Sequence, residues 1–510
     1  MTGIALQEKK RPLLWRLGRT PKPQRQAIID IGSNSVRLIV YQINGRSIIP
    51  RVNEKVMAGL GAGLSETGRL PEKGVASAMG ALKRFQAICS SLGVTDIRAI
   101  ATAAVRDAKD GADFCRTVKE VAGIHIETLS GLQEAHYAAL GVVAAQRDPT
   151  GLIGDLGGSS LELIRADKGK LSTGKTYKVG PLAIAEKAEA DPDGLADHVR
   201  ATLGGQGDIP RADRFFAVGG AWRAFARIYM HKTDYPLHVL QSYEIPAKDA
   251  IALAEQLLDR KSKWQSLAKS VAGKRYATLE LTSLVLQQVL QASKAKCLVI
   301  SAYGVREGLV YSGMSDDIKR LDPLLAGVTT LANPDIGQAG FSRSLNDFLR
   351  RVLATQSPVF VDASEQEERL ITAAFILADI GATMHPDHRA DIARQIVLRG
   401  PYTGIEHNGR VFLGLITAFR YNRKFELTEL EKSTLSEEQI ERARLIAHLI
   451  RVAAEFSCRT ERILKRGKLS IDDGHLVLTV AGGHEVLVSE SVEKRLSQAA
   501  SLLNLKCLIR

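Results

Sequence analysis

Two short stretches of this chain place a carboxylate beside a turn of glycines and small hydroxyl residues. Ala27-Ile-Ile-Asp30-Ile-Gly32-Ser33-Asn34-Ser35-Val-Arg37-Leu-Ile-Val-Tyr41 returns about 125 residues later as Gly151-Leu-Ile-Gly-Asp155-Leu-Gly157-Gly158-Ser159-Ser160-Leu-Glu162-Leu-Ile-Arg165. Asp30 aligns with Asp155, Gly32 with Gly157, Ser35 with Ser160 and Leu38 with Leu163. In each copy an apolar run ends in Asp, a Gly/Ser turn comes next, and a second β-rich run leads away. That pattern predicts a strand, a tight turn and a strand. Such a turn gathers backbone N–H groups and hydroxyls around a concave spot that suits an anion. The neighbouring aspartates offer hard oxygen ligands of the kind Mg²⁺ takes. Either hairpin alone would be ordinary; two facing copies would make a cleft for a phosphorylated ligand. The repeat breaks where Arg37 in the first copy meets Glu162 in the second. The first loop can thus set a guanidinium on phosphate, and the second can add a carboxylate to a metal site.

The elements that must position these turns show two patterns. Residues 24–141 alternate strands and helices, with helical apolar spacing through Val75, Met79, Leu82, Phe85 and Ile88 and a buried-strand run at Ile97-Arg-Ala-Ile-Ala-Thr102. Residues 142–314 restart the alternation with the second hairpin, a strand into Val218-Gly-Gly220, and a strand Cys297-Leu-Val-Ile-Ser-Ala302 that runs into Gly304-Val-Arg306-Glu-Gly308. Residues 315–468 carry helical spacing almost throughout from Phe341, which predicts a separate helical domain. Residues 469–510 read as a small α/β unit with strands at Leu476–Val480 and Glu485–Val488, a helix from Val492 to Leu503, and a final apolar run from Lys506. Residues 1–23 are basic, broken by prolines and without the apolar core of a secretory signal, so a basic arm is expected there.

At 510 residues, with 45% hydrophobic and 25% charged content, the composition is that of a globular protein. No run approaches the ~18 apolar residues of a membrane span, so no membrane role is expected. Five scattered cysteines make neither a disulfide framework nor a zinc site, which suits a reduced, cytoplasmic protein. The net charge of +13 favours an anionic partner. Only 5% of residues are aromatic, and no nucleic-acid module is legible, so no specific nucleic acid is expected. A highly phosphorylated anion fits the same charge.

The chain resembles the exopolyphosphatase/guanosine pentaphosphate phosphatase (Ppx/GppA) family of the actin–sugar kinase–heat-shock ATPase superfamily, and within it the long-form exopolyphosphatases. The resemblance is carried in order by Asp30–Arg37, Ala101-Thr-Ala-Ala-Val-Arg106-Asp107, Leu129-Ser130-Gly-Leu-Gln133-Glu134-Ala135, Asp155–Glu162 and Gly304–Gly308. It implies two actin-like (ribonuclease H-like) α/β domains, an all-α HD-like domain and a small C-terminal α/β unit. It also implies that Gly32, Ser33, Asn34 and Ser35 form one phosphate loop and Gly157, Gly158, Ser159 and Ser160 the other. By the same resemblance Asp155 and Glu162 hold Mg²⁺, to which the reading of the first turn adds Asp30; Arg37 and Arg306 match arginines that contact the phosphorylated ligand, and Arg106, in a family segment, is expected to join them. Glu134 matches the proposed catalytic base. Read from the residues alone, Ser130 and Gln133 form a capping box, and Glu134 is then an acid suited to a helix's first turn. Asp107 could equally be a structural counterion for Arg106.

In the helical domain the consecutive His-Asp that an HD phosphohydrolase needs for metal reads Ala378-Asp379, and His385, His388 and His407 match no ligand spacing. The domain is expected to have lost metal chemistry and to serve as a contact in a homodimer or as a basic track through Arg420, Arg423 and Lys424. The activity expected is Mg²⁺-dependent, processive release of terminal phosphate from inorganic polyphosphate. The alternatives are hydrolysis of guanosine pentaphosphate to tetraphosphate, a sugar-kinase-like transfer suggested by Val218-Gly-Gly220, and a non-catalytic sensor of polyphosphate or alarmone. Trp222, Arg223 and Phe225 crowd the sequence just after that Gly-Gly pair and weigh against the kinase-like reading.

Overall fold

The structure, a computed structural model, describes residues 23–204, 209–332, 338–360 and 363–510. Apart from Pro23, the expected basic arm lies outside the described residues. The chain forms two compact units that divide between Pro323 and Leu324.

In the first unit, β1 (Gln24–Ile31), β2 (Val36–Asn44), β3 (Ser47–Val56), β4 (Ile97–Ala101) and β5 (Ile126–Thr128) form a sheet in the order β3-β2-β1-β4-β5. β1 runs antiparallel to β2 and parallel to β4. Its apolar run Ala27-Ile28-Ile29 is fully buried because both faces are covered. Ala27 and Ile29 pack on Ala78, Leu82 and Phe85 of the helix Glu72–Ser91, while Ile28 joins Leu309 and Val310 on the other face.

The second sheet uses β6 (Gly151–Leu156), β7 (Leu161–Asp167), β8 (Lys170–Leu171), β9 (Lys175–Tyr177), β10 (Arg214–Val218), β11 (Glu244–Pro246) and β12 (Cys297–Ile300). Its order is β11-β12-β10-β6-β7-β8, with β9 also on β7. The run β7-β6-β10-β12 thus repeats β2-β1-β4-β5, and β11 adds an antiparallel edge. The repeated hairpins pair in matching register, Asp30 opposite Arg37 and Asp155 opposite Glu162.

Two helices join the halves. Gly131–Ala145 crosses Val305–Ser312 at almost backbone contact. A Cβ on Gly308 would stand 1.8 Å from Tyr137 O, so only glycine permits this crossing. Around it, Tyr303 Oη donates to Ile48 O at 2.8 Å, Arg46 Nη2 donates to Val143 O at 2.7 Å, and the Tyr41 hydroxyl donates to the buried Glu307 carboxylate.

The second unit is mainly helical, with Gln338–Leu353, Ala363–Ile376, Arg389–Arg399, His407–Tyr421 and Glu437–Ser457 as its long elements. It closes with β13 (Gly467–Asp472), β14 (His475–Val480), the helix Glu490–Leu502 and β15 (Lys506–Ile509), ordered β13-β14-β15. One local expectation differs. Glu485–Leu487 is a single 3₁₀ turn rather than a strand, with Val486 left 90% exposed. Its place in the sheet is taken by β13, which meets β14 through Asp473 and Gly474, both at positive φ. That Asp-Gly pair is the turn a tight hairpin requires.

Candidate active site

Both repeated turns close with the same bond. Gly32 N–H donates to Ser35 O at 3.0 Å, and Gly157 N–H donates to Ser160 O at 2.9 Å. Each turn is also braced by a glycine from a later loop: Gly61 N–H donates to Ser33 O at 2.8 Å, and Gly180 N–H to Ser159 O at 3.1 Å. The turns therefore sit at the ends of buried strands with their backbones fixed. They face one cavity of about 290 Å³ between the two α/β halves.

Of the residues expected in the site, Asp30, Gly32, Ser33, Asn34, Ser35, Arg37, Glu134, Asp155, Gly157, Gly158, Ser159, Ser160 and Arg306 line this cavity. Glu162 and Arg106 do not. Glu162 lies beneath, 3% exposed and across the hairpin from Asp155. Arg106 stands beside Glu134, its Nη1 3.9 Å from Glu134 Oε2, and it donates to Asp107 Oδ1 at 2.9 Å and to Leu129 O at 3.1 Å. The structure thus puts Arg106 against the carboxylate expected to act as base, not among the groups lining the cavity.

Glu134 sits in the first turn of Gly131–Ala145. Ser130 Oγ accepts from Gln133 N–H at 3.2 Å, and Gln133 Oε1 accepts from Ser130 N–H at 2.9 Å. The capping box and the cavity position therefore coexist: the cap fixes the turn that aims the carboxylate. Burial first, then the carboxylates of Asp155, Glu162 and Asp30, push Glu134 up to about 8. Burial takes Asp155 to about 6 against the Arg223 guanidinium, and Glu162 to about 7 against a hydrogen bond with the Ser160 hydroxyl. Asp30 is also raised by burial, with Arg306 and Arg37 opposing. Buried carboxylates that raise one another mark a site made for incoming positive charge.

The donor set fits a hard divalent cation. Glu162 Oε1 is buried with no hydrogen-bond partner, next to Asp155, which in turn feels the carboxylate of Asp30. Among the described residues no three His, Cys, Asp or Glu side chains enclose a metal by themselves.

Three cations in the cavity were not predicted as site residues. Lys55 is opposite Arg37 in the β2–β3 register, and burial with the nearby Arg275 lowers its pKa. Arg223 donates to Ala302 O at 3.1 Å and is held down to about 10, mostly by burial. Arg275 reaches over the Gly219-Gly220 turn, where a Cβ on Gly220 would meet its Nη2 at 2.0 Å. An adenosine-binding turn at Val218-Gly-Gly220 would need open space above it. Of the three residues expected to crowd it, Trp222 and Phe225 are core residues at 0% and 1% exposure, while Arg223 lines the cavity with Gly219 and Gly220, and Arg275 stands over Gly220. Only strand alternation could have flagged Lys55. No motif marks Arg275.

Residues 39–317 match the profile of the Ppx/GppA phosphatase family, and residues 338–509 that of the exopolyphosphatase C-terminal domain. Retrograde regulation protein 2 of Saccharomyces cerevisiae is 24% identical over 454 residues, covering 81% of this chain and 75% of that protein. The crystal structure of the Aquifex aeolicus Ppx/GppA family member has a TM-score of 0.52 at 24% identity, over 57% of this chain and 97% of its own. An exopolyphosphatase from Cytophaga hutchinsonii gives a TM-score of 0.51 at 24% identity, with the same coverage of 57% and 97%. These superpositions carry the fold, two actin-like α/β domains. Because the first profile alone spans more than half of the sequence, and the second covers most of the C-terminal remainder, the chain belongs to the Ppx/GppA phosphatase family.

Proposed function

We propose that this protein is an exopolyphosphatase that removes terminal phosphate from inorganic polyphosphate, with Glu134 as general base. The observation that carries the reading is the juxtaposition in one cavity of two anion-cradling turns, the side chains Arg37, Lys55, Arg223, Arg275 and Arg306, and the half-buried Glu134. Phosphoanhydride hydrolysis is largely a matter of holding the terminal phosphoryl group, neutralising its charge and orienting water. The N–H groups of the turns and the arginines supply the first two. Glu134 in its ionised form takes the water's proton, and Arg106 beside it favours that form and keeps its orientation. Asp155, Glu162 and Asp30 are the residues that would hold Mg²⁺, which when bound neutralises phosphate charge. A run of five cations suits a repeating polyanion more than a nucleoside, and the Arg275 guanidinium over Gly220 weighs against adenosine binding and a kinase-like transfer.

The test is phosphate release with Mg²⁺ from long-chain polyphosphate and from guanosine pentaphosphate at matched terminal-phosphate concentration, with Glu134→Gln as control. The expected result is preference for polyphosphate and a loss of about 10²–10⁴-fold in kcat in the variant. Preference for the nucleotide would make the protein an alarmone phosphatase. Silence on both would leave a binding protein, and full activity of Glu134→Gln would remove the base assignment.

A further inference from the structure

The second unit contains a cavity of its own, about 380 Å³, lined by Arg389, Arg420, Arg451, Arg459 and Arg495 with Tyr421 and Glu455. These residues come from elements far apart in sequence: the start of Arg389–Arg399, the end of His407–Tyr421, Glu437–Ser457 and the turn after it, and Glu490–Leu502. The sequence suggests a solvated track of Arg420, Arg423 and Lys424. In the structure the Arg420 side chain is only 13% exposed and turns inward, while Arg423 and Lys424 stay at the surface.

The local charges are poorly balanced. Glu455 Oε2 is already ion-paired with Arg495 Nε at 2.7 Å, and Asp379, just behind, lies 3.5 Å from Arg420 Nη2. Arg420 Nε and Arg451 Nε are buried and have no hydrogen-bond partner among the described residues. Some of the guanidiniums do structural work at one edge: Arg451 Nη1 donates to Arg420 O at 3.0 Å, and Arg389 Nε to Met384 O at 3.2 Å. Those bonds, with Arg389 and Arg420 lying 5.6 Å and 5.1 Å from the centre of the Tyr421 ring, fix the guanidiniums without neutralising them. Burial, then Arg495, Arg420 and Arg423, pushes Arg451 down to about 10. Crowded, half-buried like charges are costly unless an anion joins them.

We propose that this cavity is a second anion-binding site, which takes a compact multivalent phosphate of the diphosphate class and does not turn it over. Guanidinium forks match phosphate oxygens two at a time. A pocket of this size admits a diphosphate or the phosphates of a nucleotide, whereas a nucleic-acid duplex needs an open stripe. The lining holds no free base: Glu455 is its one carboxylate among the described residues, and it is engaged by Arg495. Asp379, the surviving half of the expected metal pair, faces a guanidinium. The proposal stands independently of the activity assigned to the cleft.

The experiment is isothermal titration of the full chain carrying Glu134→Gln with inorganic pyrophosphate and, separately, with GDP. Binding that survives Arg306→Ala but weakens at least ~10-fold in Arg459→Gln/Arg495→Gln, with an unchanged circular dichroism spectrum, is expected. Arg420→Lys, which keeps charge but removes the fork, serves as the second variant and should weaken the same event. Tighter binding of GDP identifies a nucleotide's phosphates as the ligand, and binding of pyrophosphate alone identifies an inorganic one. Absence of binding, or binding abolished by Arg306→Ala and untouched by the cavity variants, overturns the proposal.

Discussion

In the cleft between the α/β halves, Arg37, Lys55, Arg223, Arg275 and Arg306 face Asp30, Glu134 and Asp155, with Glu162 just beneath. In the cavity of the helical unit five arginines face one lining carboxylate, already ion-paired. Both are concave and basic, and both can hold phosphate. They differ in what else is present. The cleft interleaves acids with its cations, at the cost of burying carboxylates that raise one another's pKa. That arrangement can accept a cation, orient water and move a proton. The arginine cavity has affinity without a base. Positive charge makes a phosphate site, and buried negative charge within it makes a reactive one.

Removing a cation from the reactive site is the largest test of that contrast. Arg306→Ala should lower kcat for phosphate release by about 10²–10³-fold, measured under saturating substrate, while pyrophosphate binding in the arginine cavity is unchanged. An equal loss at both places would mean that the two sites are one system. Next in size is Gly308→Ala. Its Cβ collides with Tyr137 O, so a loss of about 1–3 kcal/mol is expected from overpacking, read as a lower Tm of the full chain. Turnover should fall further than the folded fraction does, because the crossing sets the position of Glu134 and Arg306.

The smallest effect concerns His448, one turn before Arg451 on the same helix. Its imidazole is held below the usual value by burial, with Arg451, Arg444 and Arg423 acting in the same direction and a backbone contact to Arg444 opposing. The folded chain thus prefers neutral His448. Its contribution is present above the unfolded pKa near ~6.5 and is lost as pH falls below that value. Stability measured by denaturant titration from pH 7 to 5 should therefore fall less steeply in His448→Gln. An unchanged slope would show that the arginines around the cavity do not act on this helix.

Much of the cleft is legible in the sequence because it is built from a repeat. The Asp–turn–strand pattern fixes register, and register fixes which residues face each other: Asp30 with Arg37, Asp155 with Glu162. Glu134 is legible through its family motif, while its capping box alone reads as a helix start. Lys55 is only weakly so, through its place opposite Arg37 in the next strand, and Arg275 is not, since it reaches the cleft through tertiary packing and carries no local pattern. Arg106 has the right motif, and the structure puts it beside Glu134 rather than in the lining. In the helical unit, periodicity reveals the helices but cannot say which arginines turn inward. Arg420 comes after twelve buried positions on its helix, and its inward partner Asp379 lies some forty residues away. The Asp473-Gly474 hairpin carries a readable turn signal, but the apolar run at Glu485–Val488 has the stronger strand composition and competes with it.

The glycine crossing between Gly131–Ala145 and Val305–Ser312 has a mechanical side. Glu134 and Arg306 each sit in the first turn of their helix, within roughly 5–10 Å of the crossing point, given 1.5 Å of rise per residue. Groups that close to a pivot travel little: a swing of about 10° would move them by only ~1–2 Å. Any rotation about this crossing would therefore leave Glu134 and Arg306 nearly in registration with each other.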